Sequence, residues 1–288
     1  MRYAWLLIVG VAEAAALGLA TAAGLAGAGL ELTVEAPPAL AGIARRVGAI
    51  DLPGVERALM LAGLEPPARV RLRLIPEDAP AARQTPGWIV GQAFGDQQIV
   101  IFPARIASYP YDSLESVVRH EIVHLALSSR AGGGAMPRWF HEGVAEAVGS
   151  GWGFTGQVRL LWATAQSPAL SEVTALFDSD AQPGTARAYL LSVALVDDIR
   201  RRHGLDVPGA IATRVGQGVP FERAFELETG ESVTAATAHA WASYQGLSSW
   251  LPLVTSVQVV WAGILALAFA ALVVRLRRRA EQRRVWDE

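Results

Sequence analysis

The chain has 288 residues, enough to bury a substantial core in one or two domains, and its 25 basic and 27 acidic residues leave it close to neutral, so charge makes no general case for a nucleic-acid partner. It contains no Cys, which excludes disulfides, thiol nucleophiles and Cys-ligated zinc. The hydrophobic fraction is 52%, and its excess is concentrated at the two ends.

Residues 1–30 open on Arg2 and continue as an apolar run from Trp5 to Leu30, interrupted by Glu13 and Thr21. With the small-x-small step Ala26-Gly27-Ala28, this has the form of a signal peptide; its length suits an N-terminal membrane anchor equally. Residues 31–68 read as a helical lead-in, with short helical patterns at Ala39 to Val47 and Pro53 to Ala62, closed by Pro66-Pro67.

A domain over residues 69–248 follows. Val70 to Leu74 alternates apolar and charged residues, as a half-buried strand does. Trp88 to Phe94 and Gln98 to Phe102 read as a hairpin turning at Gly95-Asp96-Gln97. The second of these strands comes shortly before the helix that carries the chemistry. Its residues Ile99, Val100 and Ile101 are therefore expected to hold an extended peptide by strand addition; a plain structural hairpin would give the same pattern.

Asp112 to Glu115 has the form of a capping box, and a helix is expected over about 113–129. It carries His120-Glu121-Ile122-Val123-His124. Histidines four apart share a helix face, and two imidazoles at that spacing can bind one zinc ion. Glu121 lies about 100° further round, beside the metal, where a carboxylate can take a proton from water. Two surface histidines flanking an acid would show the same letters.

After Ala131-Gly132-Gly133-Gly134, Pro137 opens a second helix to about Val148, carrying His141, Glu142 and Glu146. A zinc held by two His needs a third protein ligand and an open position. These three residues are the candidates, and His141 and Glu142, as neighbours, cannot both face the metal. The His-x-x-Gly-x-x-His continuation of another zinc-peptidase class is absent, since Ser128 stands where its Gly would be. Gly143 is expected to let this helix approach the first closely. Glu146, one turn beyond Glu142, can then accept the other ring N–H of a ligand histidine such as His120.

Leu253 to Val274 is uncharged and long enough to cross about 30 Å of hydrocarbon. A transmembrane helix is therefore expected over 251–274. Arg275, Arg277, Arg278, Arg279, Arg283 and Arg284 follow it, which marks residues 275–288 as a cytoplasmic tail. The intervening domain is then extracytoplasmic, periplasmic or extracellular.

His-Glu-Ile-Val-His followed by Pro-Arg-Trp-Phe-His-Glu-Gly-Val-Ala-Glu resembles the gluzincin metallopeptidases, in particular the bacterial peptidase MA-like group. The likeness extends over about residues 70–245, through the strands before the motif and the segments Tyr189 to Gly204, Phe221 to Gly230 and Trp241 to Tyr244. It implies an α+β fold with a small sheet over the active-site helix and a helical C-terminal half. It implies that His120, His124 and Glu142 bind Zn2+, that Glu121 is the general base and acid, and that Glu146 supports a ligand. A Tyr or His would stabilise the oxyanion; Tyr189, His203 and His239 are the candidates, with Tyr189 foremost. The function expected is a membrane-tethered zinc endopeptidase acting on a peptide or protein. The alternative is a membrane-bound zinc- and peptide-binding module without catalysis.

Overall fold

Four short strands form one sheet in the order β1-β2-β4-β3. The structure, a computed structural model, describes residues 29–95, 97–106, 113–149, 169–177 and 182–248, together with Leu265, Phe269, Ala271 and Arg275. β1 (Glu31–Glu35) and β4 (Gln98–Ile101) both run parallel to β2 (Arg69–Leu74), and β3 (Gly91–Phe94) pairs antiparallel with β4. The period-two pattern expected at residues 70–74 is present. Val70, Leu72 and Leu74 are buried while Arg69, Arg71 and Arg73 face solvent, with Arg69 and Arg73 paired across the strands to Glu31 and Glu35.

Two sequence expectations are corrected here. The lead-in over residues 31–68 is not wholly helical. Glu-Leu-Thr-Val-Glu at 31–35 alternates as a strand should and adds β1 to the sheet, in front of α1 (Ala41–Gly48) and α2 (Leu52–Leu61). Nor is the strand of Ile99, Val100 and Ile101 available to a substrate backbone. β4 is an inner strand hydrogen-bonded on both sides, and Ile99 and Ile101 are buried in the core. Among the described residues, the strand with a side unpaired and lying against the motif helix is β3.

Beyond α3 (Pro80–Gln84), the inner face of the sheet is covered by α4 (Leu114–Arg130). Ten of its residues are buried, from Leu114 to Leu127, because the sheet packs on one side and helices on the others. Ser113, rather than Asp112, caps it. The Ser113 hydroxyl accepts from Ser116 N at 3.1 Å, and Ser116 Oγ accepts from Ser113 N at 3.2 Å. Asp112 itself lies outside the described residues.

The rest is helical: α5 (Arg138–Gly149), α6 (Leu170–Phe177), α7 (Gln182–His203), α8 (Val207–Gly216), α9 (Phe221–Thr229) and α10 (Val233–Ser248). α5 lies between α4 and α7, and glycines set both contacts. A Cβ on Gly143 would come within 2.6 Å of Ser192 O, and one on Gly149 within 2.9 Å of His120 N. Gly143 therefore admits α7, and the close approach to the motif helix expected of it belongs to Gly149. Trp139 and Phe140 anchor α5 on the other side, their rings packing edge-on against Phe221 at 5.9 and 5.1 Å. The architecture is α+β, mostly helical with a small sheet. Among the described residues no helix is long and apolar enough to cross a membrane. The expected leader and the expected span fall almost wholly outside them.

Candidate metal centre

α4 places His120 and His124 on one face, one turn apart, with their Nε2 atoms 3.0 Å from each other. α5 brings Glu142 across from them. Its Oε2 lies 3.3 Å from His120 Nε2 and 3.4 Å from His124 Nε2. These three atoms form a nearly equilateral triangle. Four donors held tetrahedrally about zinc at ordinary bond lengths are separated by about 3.3 Å. The triangle thus has the edge length of a tetrahedral face, and the donor set of two imidazoles and a carboxylate suits a divalent transition metal. The sequence left His141, Glu142 and Glu146 as alternatives for the third ligand; the rotation of α5 selects Glu142.

The electrostatics point the same way. Burial disfavours a charged His120, but the carboxylates of Glu142 and Glu146 outweigh it and raise the imidazole to about 10. Burial likewise opposes ionisation of Glu142, yet the two imidazoles hold its carboxyl well below the usual range. The same lone pairs that hold this proton could hold a metal ion.

Each ring is also gripped from behind. Glu146 Oε2 sits 3.4 Å from His120 Nδ1, as expected for an acid one turn beyond Glu142. His141 Nδ1 sits 3.4 Å from His124 Nδ1, the two rings 5.6 Å apart and inclined by 30°. Burial, then the neighbouring His124, lowers His141 to about 4. This contact was not foreseen. Its signal in the sequence is that a residue beside Glu142 must point at one histidine if Glu142 points between the two.

Glu121 is buried beside the triangle and packs on β3. A Cβ on Gly91 would lie 2.7 Å from its Oε1, and the backbone N–H of Ala93 reaches its carboxylate. Burial is the largest influence on this carboxyl and raises it above the usual range. β3 presents more than a packing surface. Phe102 N donates to Val90 O at 2.9 Å, so by antiparallel alternation Gly91 and Ala93 turn their N–H and C=O groups away from β4, toward the unpaired side. The backbone groups on the unpaired side of β3 are thus those of Gly91 and Ala93.

Of the three oxyanion candidates, only Tyr189 is at the centre. Its ring lies 6.2 Å from that of His120 and its hydroxyl interacts with Glu142. Burial first, and then Glu142, raises its phenol well above the usual value. His203 and His239 bind Glu231 instead, at 3.0 and 2.7 Å, near the far end of α7, about 21 Å along the helix axis from Tyr189. The Arg200-Arg201-Arg202 run, which reads as a solvated helix end, is more engaged than that. Arg200 donates to Ala147 O at 3.1 Å, tying α7 to α5, while Arg201 and Arg202 both hold the buried Asp198 at 2.8 Å. Arg138, one turn before Glu142, lies 3.6 Å from Glu142 Oε1 and stacks on Phe177. No protein-family model matches the chain, and no curated protein matches it.

Proposed function

We propose that this chain is a zinc metallopeptidase of gluzincin type, tethered to a membrane with its catalytic domain on the extracytoplasmic side. The observation that carries the reading is the triangle of His120 Nε2, His124 Nε2 and Glu142 Oε2, with edges of 3.0, 3.3 and 3.4 Å beside a buried glutamate. The tether rests on the two apolar ends of the sequence and the arginines that follow the second.

His120, His124 and Glu142 would hold the ion, and a zinc ion bound there would supply Lewis acidity, lowering the pKa of a water to about 7. The residues of the chain do the rest. An extended peptide docks along β3, hydrogen-bonding to the N–H and C=O of Gly91 and to the C=O of Ala93, whose N–H is held by Glu121, and brings its scissile carbonyl over the centre. Glu121, whose raised pKa suits a group that must both take and give a proton, removes the proton of the attacking water. It then delivers that proton to the leaving amine. The Tyr189 hydroxyl donates to the oxygen of the tetrahedral species, where one such donor contributes about 2.7–4 kcal/mol. A side chain at Gly91 would press on the Glu121 carboxylate, its Cβ lying 2.7 Å from Oε1.

Glu121→Gln tests the reading. The variant keeps the shape and all three ligands, so it binds zinc as the parent chain does and loses hydrolysis of a peptide library. Undiminished cleavage sinks the mechanism. Zinc in the parent chain with no peptide cleaved leaves a binding module in its place.

A further inference from the structure

We propose that His141 is a positioning residue for the second ligand histidine: its Nδ1 accepts the Nδ1–H of His124 and thereby presents His124 Nε2 to the metal as a lone pair. The inference rests on the metal-centre reading and adds to it how one ligand ring is held in its working tautomer. An imidazole can ligate through Nε2 only if its proton is elsewhere, and a ligand histidine nearly always donates its second N–H to a fixed acceptor. For His120, the Glu146 carboxylate stands 3.4 Å from Nδ1. For His124, His141 Nδ1 stands 3.4 Å from Nδ1. The nitrogen that faces the triangle, Nε2, is on the opposite side of the ring.

His141 is well held for this task. Its backbone N–H donates to Pro137 O at 3.1 Å in the first turn of α5. The preceding residues Trp139 and Phe140 are buried, so the helix cannot rotate to release it. Its own proton then sits on Nε2, leaving Nδ1 as the acceptor. The two ligand rings are consequently supported by different chemistry. A carboxylate behind His120 adds negative charge to the centre, whereas a neutral imidazole behind His124 orients without adding any. With Glu142, Glu146 and Glu121 already within the site, a fourth carboxylate would deepen the negative potential and blunt the electrophile.

Full-length chain in detergent, its metal stripped and restored, is titrated with zinc in competition with a chromophoric chelator. His141→Leu fills the space and offers no acceptor; zinc affinity is expected to fall by about 10- to 100-fold. His141→Asn, whose side-chain oxygen is an acceptor, is expected to restore most of that loss. The melting temperature of the metal-free chain should be similar in both. The zinc-loaded parent chain should show a slowly exchanging proton on His124 Nδ1 in imidazole 15N spectra, absent in His141→Leu. Parent-like affinity in His141→Leu overturns the proposal, as does an Asn variant as weak as Leu, or a parent chain in which His124 carries its proton on Nε2. A parent chain that takes up no zinc, like a His120→Ala control, overturns the metal centre itself and this proposal with it.

Discussion

Gly149→Ala should damage the metal centre from outside it. The residue touches no ligand side chain; it ends α5, where a Cβ would lie 2.9 Å from His120 N and 3.1 Å from Arg119 C and His120 Cα. Ordinary contact begins at 3.4 Å, and backbone cannot step aside as a side chain tip would, so α5 must retreat from α4 by about the difference, half an ångström. Glu142 and Glu146 ride on α5 and the histidines on α4, so the retreat opens the carboxylate-to-imidazole distances directly. Site geometry is tolerant to about 0.5 Å, and a 1 Å displacement can cost about 100-fold. A loss of about tenfold in zinc affinity follows. Overpacking of this kind costs about 1–3 kcal/mol, against a propensity gain of up to about 1 kcal/mol from replacing a helical glycine. Each kcal/mol of net loss lowers the melting temperature by about 2–4 °C in a domain of this size. Gly48→Ala, at the end of α1 with nothing within 4 Å of its Cβ, serves as the control and should be neutral or slightly stabilising. Chelator competition for zinc and thermal melting of the stripped chain read both effects. If Gly149→Ala binds zinc like the parent chain, the α4–α5 contact does not set the site.

Glu146→Gln should weaken zinc binding by about 10- to 100-fold while leaving the metal-free fold intact, as the same chelator competition with circular dichroism would show. Tyr189→Phe should lower kcat on a cleaved peptide by about 100- to 1000-fold with little change in KM, since the hydroxyl acts on charge that develops only in the transition state. In the metal-free chain His120 is raised to about 10 from an ordinary 6.5, because Glu142 and Glu146 outweigh burial. The stabilisation this represents is complete below about pH 6.5 and lost as pH rises toward 10, so urea midpoints of the stripped chain should fall across that window and those of the zinc-loaded chain should not. Zinc uptake near pH 7.5 should release a proton, measured as a buffer-dependent enthalpy of binding.

Much of this centre can be read from the chain because it is local. The four-residue spacing of His120 and His124 puts both rings on one face of any helix, and the same spacing puts Glu146 one turn beyond Glu142. What the spacing does not contain is the rotation of α5 about its own axis. That rotation depends on Gly143 against α7, Gly149 against α4 and the Trp139–Phe140 anchor against α9, contacts between residues far apart in sequence. The choice of Glu142 over His141, and the role of His141 behind His124, both follow from it. The sheet shows the same limit. The hairpin of β3 and β4 is visible from its alternation and its turn, but which of the two lies at the edge depends on which pairs with β2. Sequence order puts Ile99 to Ile101 nearest the motif helix, which suggests them for holding a peptide, but β4 takes the inner position. β1 had its alternating signal, obscured by the apolar stretch before it and the helices after it.

The wedging of α5 between two helices has a consequence for how the metal arrives. Small zinc modules are unfolded until the ion gathers their ligands, so the ion's binding energy is their folding energy. Here α4, α5 and α7 are locked by backbone-to-glycine contacts and a buried aromatic cluster, none of which involves the ligand atoms. The helices that carry the three donors are therefore held in place by contacts that do not depend on an ion. Loading then requires an ion to shed water and displace a proton, with no chain to order.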